Sequence, residues 1–245
     1  MTFICFLALY IGALVLLQPG PGSPKHWRGA MRENVRAVRA TLVLGSAMLT
    51  VFFLTSNFTF SYAHYDWLRI FALQNDFAYP VRRLMQIVSH IFVHLDLAHV
   101  FANVVMLAAL SLYERRVGCR RFLAVFMVSG VASSASVLFY EAPMMSAGAS
   151  GAIFGLAAAY FADIKGVTLT QRLRILILGV FIVTIDAFSQ LIFGFFSAFI
   201  TASWAASAAT TPDHIAHAIG ALTGLIYVLL VPSKQHHPYK KSALA

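Results

Sequence analysis

Long apolar runs separated by polar connections dominate the chain. They occupy residues 1–17, 40–60, 99–113, 122–140, 150–162, 173–199 and 214–231. A helix needs about 20 apolar residues to cross roughly 30 Å of hydrocarbon, so runs of this length predict membrane spans rather than amphipathic surface helices. Seven spans are expected in an all-α polytopic membrane protein. The first run has no basic residue ahead of it and is followed by Pro19, Gly20, Pro21 and Gly22, then by positive charge. It reads as an additional helix with its amino end outside, or alternatively as a cleaved targeting segment.

Composition supports the membrane reading: 60% of residues are hydrophobic and 11% charged, against roughly 25% charged in ordinary soluble domains. The net charge of +9 raises the question of a nucleic-acid partner, but the distribution of the 18 Lys and Arg residues answers it. Residues 25–39 hold five, 115–121 four, 165–174 three and 234–241 three, while the connections around Glu141 and Asp213 hold none. Alternating loops of this kind follow the positive-inside rule, with the basic loops on the cytoplasmic or matrix side. The partner implied is a lipid bilayer and not nucleic acid. Cys5 and Cys119 are expected near opposite faces, so no disulfide, metal or cofactor framework is implied.

Against this apolar background a few polar residues stand out. Polar groups inside a bilayer are expensive and are functional candidates by default. Ser150 follows Gly148 in a GASG run over 148–151, His217 ends an HIAH run over 214–217, and His94, Asp96, His99 and Asn103 lie at the start of the third apolar run. Counting from the inner end of each span at about 1.5 Å per residue, Ser150, His217 and His99 lie roughly 20, 21 and 22 Å up. Three helices thus bring a hydroxyl and two imidazoles to one level. His99 and Asn103, four residues apart, share a helix face. Ser150 follows a loop-like stretch with Pro, Gly and Ser, which sets it near a helix amino end whose free N–H groups suit an oxyanion. Each element alone also fits helix packing: Gly148, Gly151 and Gly155, and Gly220 with Gly224, are the small residues that close packing selects, and a lone histidine can bridge helices. It is their shared depth that packing does not require.

These residues resemble a rhomboid intramembrane serine protease. The matching motifs are HLDLAHVFAN over 94–103, ERRVG over 114–118, GASG around Ser150 and AHAIGALTG over 216–224. The resemblance implies a rhomboid-like six-helix core and, with the additional helix ahead of it, an arrangement similar to the one-plus-six mitochondrial members. The implied division is an amino-terminal helix and basic linker over 1–39, the membrane domain over 40–232 and a basic tail over 233–245. It implies Ser150 as nucleophile, His217 as its base, no carboxylate third member, and an oxyanion site from His99, Asn103 and the Ser150 N–H. It also implies supporting places for Gly148, Gly151, Gly220 and Gly224, for His94 at the base of the long first loop, for Glu114 with Arg116 bracing that loop's far end, and for Phe154 against the imidazole. The substrate would be a transmembrane segment of another protein, in a bacterial or organellar (mitochondrial) inner membrane. Departures are Met85 and Gln86 where a Trp-Arg pair is usual, Phe154 where Tyr is frequent, a longer connection over 197–212, and Asp186, which has no assigned role. Two other functions fit the same residues: a rhomboid-like pseudoprotease that binds transmembrane helices, and a transporter with a proton path through His99, His217 and Asp186. The residues name neither a natural substrate nor an oligomeric state.

Overall fold

A computed structural model of the chain describes residues 2–16, 27–59, 62–76, 78–141, 143–163 and 213–231. The sixth expected span with Asp186, the connection over 197–212 and the basic stretches 165–174 and 234–241 lie outside the described residues. Within them the chain is mostly helical. The helices are α1 (Thr2–Leu16), α2 (Trp27–Ala37), α3 (Arg39–Thr55), α4 (Tyr65–Phe71), α5 (Pro80–Ser89), α6 (Leu97–Ala109), α7 (Ser111–Val117), α8 (Cys119–Ser133), α9 (Ser150–Asp163) and α10 (His214–Leu230). A 3₁₀ turn, Ser134–Phe139, continues α8.

Among the described residues two stretches, Leu97–Val117 and Cys119–Phe139, are long and apolar enough to cross a membrane. Between α2 and α3 the chain bends by 71°. Arg32 and Arg36 on α2 are exposed, whereas Asn34 is buried, donating to the Val15 carbonyl of α1 at 3.1 Å and accepting from Arg115 at 3.2 Å. With 14 residues, α9 is about 21 Å long at 1.5 Å per residue. Its described part runs from Ser150 at one end to Asp163 at the other.

At the centre α9 packs between α8 and α10, which also touch each other. Small residues four apart on all three helices make this possible. A methyl group on Gly220 would collide with the Gly151 carbonyl, and one on Gly224 with the Gly155 carbonyl. Where the three helices meet, a methyl on Gly151 would run into Ser133 and one on Gly155 into Ser129, each also close to an α10 carbonyl. Lipid tails are as apolar as Leu, so close backbone approach, rather than a hydrophobic drive, holds such helices together. The larger side chains lie around this seam: Phe52, Leu107, Phe122, Phe126 and Leu156 are fully buried.

Polar ties join the helices at the Asp163 end of α9 and the amino end of α3. Asp163 at the foot of α9 accepts from Arg121 Nε at 2.7 Å and from the Tyr113 hydroxyl at 2.9 Å. Glu114 is fully buried and differs from its expected role. Its carboxylate accepts from the N–H groups of Ala40 and Thr41 and the Thr41 hydroxyl, each at 2.8 Å, and no ion pair with Arg116 forms among the described residues. The reason is local: Val38 provides no side-chain cap to α3, and free N–H groups at a helix amino end attract an anion. The long loop leaves the other end of α3, so Glu114 braces the start of that helix and not the loop.

Two short strands, β1 (Leu73–Gln74) and β2 (Met145–Ser146), pair antiparallel. They were not expected, because two residues are too few to show a strand period. They tie the long loop to the segment just ahead of Ser150. Asn75 adds to the tie by donating to the Tyr140 carbonyl at 3.1 Å and accepting from the Met144 N–H at 2.9 Å. If the glycine seam governs the packing, Gly220→Val or Gly224→Val lowers unfolding free energy in detergent by about 1–3 kcal/mol; unfolding that matches the parent contradicts the close contact.

Candidate active site

Ser150 begins α9, and Ile153 N–H bonds to the Ala149 carbonyl at 3.0 Å. The N–H groups of Ser150, Gly151 and Ala152 therefore have no acceptor inside the helix. On α10, the His217 N–H bonds to the Asp213 carbonyl at 3.1 Å, one turn back. The glycine seam holds these two helix ends side by side, and His217 Nε2 lies 2.8 Å from Ser150 Oγ. Both residues are half-buried. The Phe154 ring stacks on the His217 imidazole with centroids 4.4 Å apart and planes 17° apart. This stacking needs only the ring, so a hydroxyl at this position is dispensable to it. His214 is exposed, and its ring meets that of His217 edge-on at 6.1 Å.

A second group of polar residues comes from the start of α6. Asp96 caps that helix by accepting the His99 N–H at 2.8 Å. Asn103 is buried and donates one amide hydrogen to the His99 carbonyl at 2.9 Å; the amide carries two hydrogens. His94 is fully buried, with Nδ1 3.2 Å from the Phe92 carbonyl and its ring edge-on to His99 at 5.1 Å. Burial, and then the neighbouring His99, push the His94 imidazole well below its usual range, which keeps it neutral. Its Nε2 has no hydrogen-bond partner among the described residues.

Gly148 joins the two groups. Its φ of 120° is open to glycine and strained for other residues, and its N–H donates to the His90 carbonyl at 2.8 Å. A methyl group there would lie 2.7 Å from His99 Cε1 and Nε2. The His99 imidazole thus sits against the backbone two residues before Ser150. Gly151, Gly220 and Gly224 lie on the helix seam, while Glu114 lies against the amino end of α3 and Arg116 follows it on α7.

A family model described as Rhomboid domain matches residues 81–234, more than half of the chain, from α5 to just beyond α10. The chain belongs to the rhomboid family. No curated protein matches it. Rhomboid membership with apolar helices makes this an integral membrane protein. The family includes both proteases and inactive pseudoproteases, so the chemistry has to be argued from the residues themselves. Elements α1 to α4 precede the rhomboid match.

Two positions near Ser150 were missed by the sequence reading. His90, buried, accepts from Gly148 and places Nδ1 2.9 Å from the Gln86 carbonyl. Asp213 caps α10 by accepting the Ala216 N–H at 2.9 Å. The signal for Asp213 was in the sequence, since an acidic residue directly before an apolar helix is a capping pattern. For His90 no pattern pointed to a backbone contact. Because Gly148 combines positive φ with contact to His99, Gly148→Ala is expected to destabilise the protein by about 1–3 kcal/mol and to shift the His99 imidazole resonance in NMR. Parent-like stability with an unmoved resonance contradicts the contact.

Proposed function

We propose that this rhomboid is an intramembrane serine protease that hydrolyses peptide bonds in or near transmembrane segments of other membrane proteins. The observation that carries the reading is the 2.8 Å approach of His217 Nε2 to Ser150 Oγ. A hydroxyl is a weak nucleophile until a base within hydrogen-bond reach takes its proton. With a proton on Nδ1, the imidazole presents a basic Nε2 to Ser150. The hydroxyl oxygen attacks the substrate carbonyl as its proton passes to His217. The C–N bond then breaks, the leaving amine takes that proton, and an acyl-enzyme remains. Water loses a proton to His217, attacks the ester and frees the acid, and Ser150 recovers its proton.

His99, Asn103 and the Ser150 N–H are proposed as the oxyanion donors, supported by the contact of His99 with Gly148 and by the second amide hydrogen of Asn103. Phe154 holds the imidazole plane by stacking. The proposed architecture is a six-helix core over 40–232 with an additional amino-terminal helix and basic linker over 1–39 and a basic tail over 233–245, in a bacterial or organellar inner membrane. The substrate enters as a helix from the bilayer, and unwinding it exposes the bond to be cut.

Cleavage of a model transmembrane substrate by purified protein in liposomes tests the reading. Ser150→Ala and His217→Ala are expected to lose at least about 10³-fold in rate, and Asn103→Ala about 10²–10³-fold in kcat. Equal cutting by parent and Ser150→Ala overturns the assignment. A parent that binds the substrate helix without cutting it moves the chain to the pseudoprotease reading.

A further inference from the structure

We infer that Asp213 is a positioning residue for the Ser150–His217 pair, a role that rests on the protease reading above. Its carboxylate joins three parts of the chain that have to agree if the two side chains are to meet. Oδ1 accepts the Ala216 N–H at 2.9 Å and the Tyr140 hydroxyl at 3.1 Å. Oδ2 accepts the Ser136 hydroxyl at 2.6 Å and the Ser146 hydroxyl at 3.2 Å. Ser136 lies in the 3₁₀ turn that ends α8, Tyr140 follows that turn, and Ser146 belongs to β2, four residues before Ser150. The carbonyl of Asp213 accepts the His217 N–H. One residue thus starts the helix that carries the imidazole and grips the segment that leads into the nucleophile.

The physics favours a carboxylate here. Hydrogen bonds to an ionised acceptor are roughly twice as strong as neutral ones, and an anion is stabilised at a helix amino end. The seam of glycines sets how close α9 and α10 come. It does not by itself stop one helix from sliding or turning against the other at the outer end, where Ser150 and His217 lie. The four bonds to Asp213 supply that restraint, and β2 passes it through β1 to the long loop. Asp213 makes no hydrogen bond to His217 through its side chain among the described residues, so it differs from the third carboxylate of a triad and acts through backbone and hydroxyl contacts.

Steady-state cleavage of a model transmembrane substrate in liposomes tests the role, with kcat and KM determined separately and folding followed by thermal unfolding. For Asp213→Ala, kcat is expected to fall at least tenfold with KM within about twofold of the parent. Asp213→Asn keeps an oxygen for the helix cap, and the three hydroxyls can turn to its amide, but the bonds are weaker than to a carboxylate, so its kcat is expected to fall between those of the parent and Asp213→Ala. The double variant Ser136→Ala/Ser146→Ala keeps the cap and is expected to lose kcat at least threefold. Parent-like kcat in a folded Asp213→Ala protein, a loss confined to KM, or an Asp213→Asn protein as impaired as Asp213→Ala overturns the inference. If Asp213→Ala does not fold, the double variant decides, and an unchanged kcat there overturns the inference too. A parent that does not cleave at all marks failure of the protease reading, and the role falls with it.

Discussion

The backbone contact between α9 and α10 is the constraint on which the rest of the structure depends. Two glycines on each helix let a carbonyl oxygen of α9 occupy the place where α10 would otherwise carry a side chain. In water such a contact would compete with a larger hydrophobic gain from bulky residues, but in lipid that gain is absent and close approach is what remains. Ser150 immediately precedes Gly151, and His217 lies three residues before Gly220. The contact that packs the helices therefore also sets the separation of hydroxyl and imidazole. Ser129 and Ser133 extend the same arrangement to α8, so that α9 is held by two neighbouring helices.

Polar ties do the work at the ends of the helices. At the end of α9 away from Ser150, Asp163 gathers Arg121 and Tyr113, and Glu114 closes the amino end of α3. Ahead of Ser150 the long first loop is fastened by small pieces of backbone pairing and by buried side chains. Gln86 is one of these: it stands where an Arg is usual in the family, and its Nε2 donates to the Arg69 and Ile70 carbonyls at 3.3 and 3.1 Å. An amide thus couples α4 to α5 without a charge, which suits a buried position.

Sequence reading located the described helices that have apolar runs, because stretches of about 13 to 21 mostly apolar residues leave few alternatives; the run over 173–199 lies outside the described residues. It also located the amino end of α9, since Pro143, Gly148 and Ser150 mark a loop-to-helix boundary. Shared depth pointed to Ser150, His217 and His99 because rise per residue is fixed by helix geometry. What escaped was whatever depends on contacts between distant segments. The β1–β2 pair is two residues long, the His90 carbonyl is a backbone atom, and the acceptors of the Ser136, Tyr140 and Ser146 hydroxyls are set by folding. The Glu114 assignment missed for a related reason. A motif shows that two charged residues are neighbours in sequence, whereas the uncapped α3 amino end that claims the carboxylate lies 73 or 74 residues away.

On the protease reading, the α10 imidazole activates the α9 hydroxyl. Reaction of the protein in liposomes with a fluorophosphonate, with the modified residue mapped by mass spectrometry, tests it most directly. One adduct is expected, on Ser150, formed rapidly in the parent and at a small fraction of that rate once His217 is replaced by Ala. Modification of Ser150 at the same rate with and without the imidazole, or of some other serine, would contradict it.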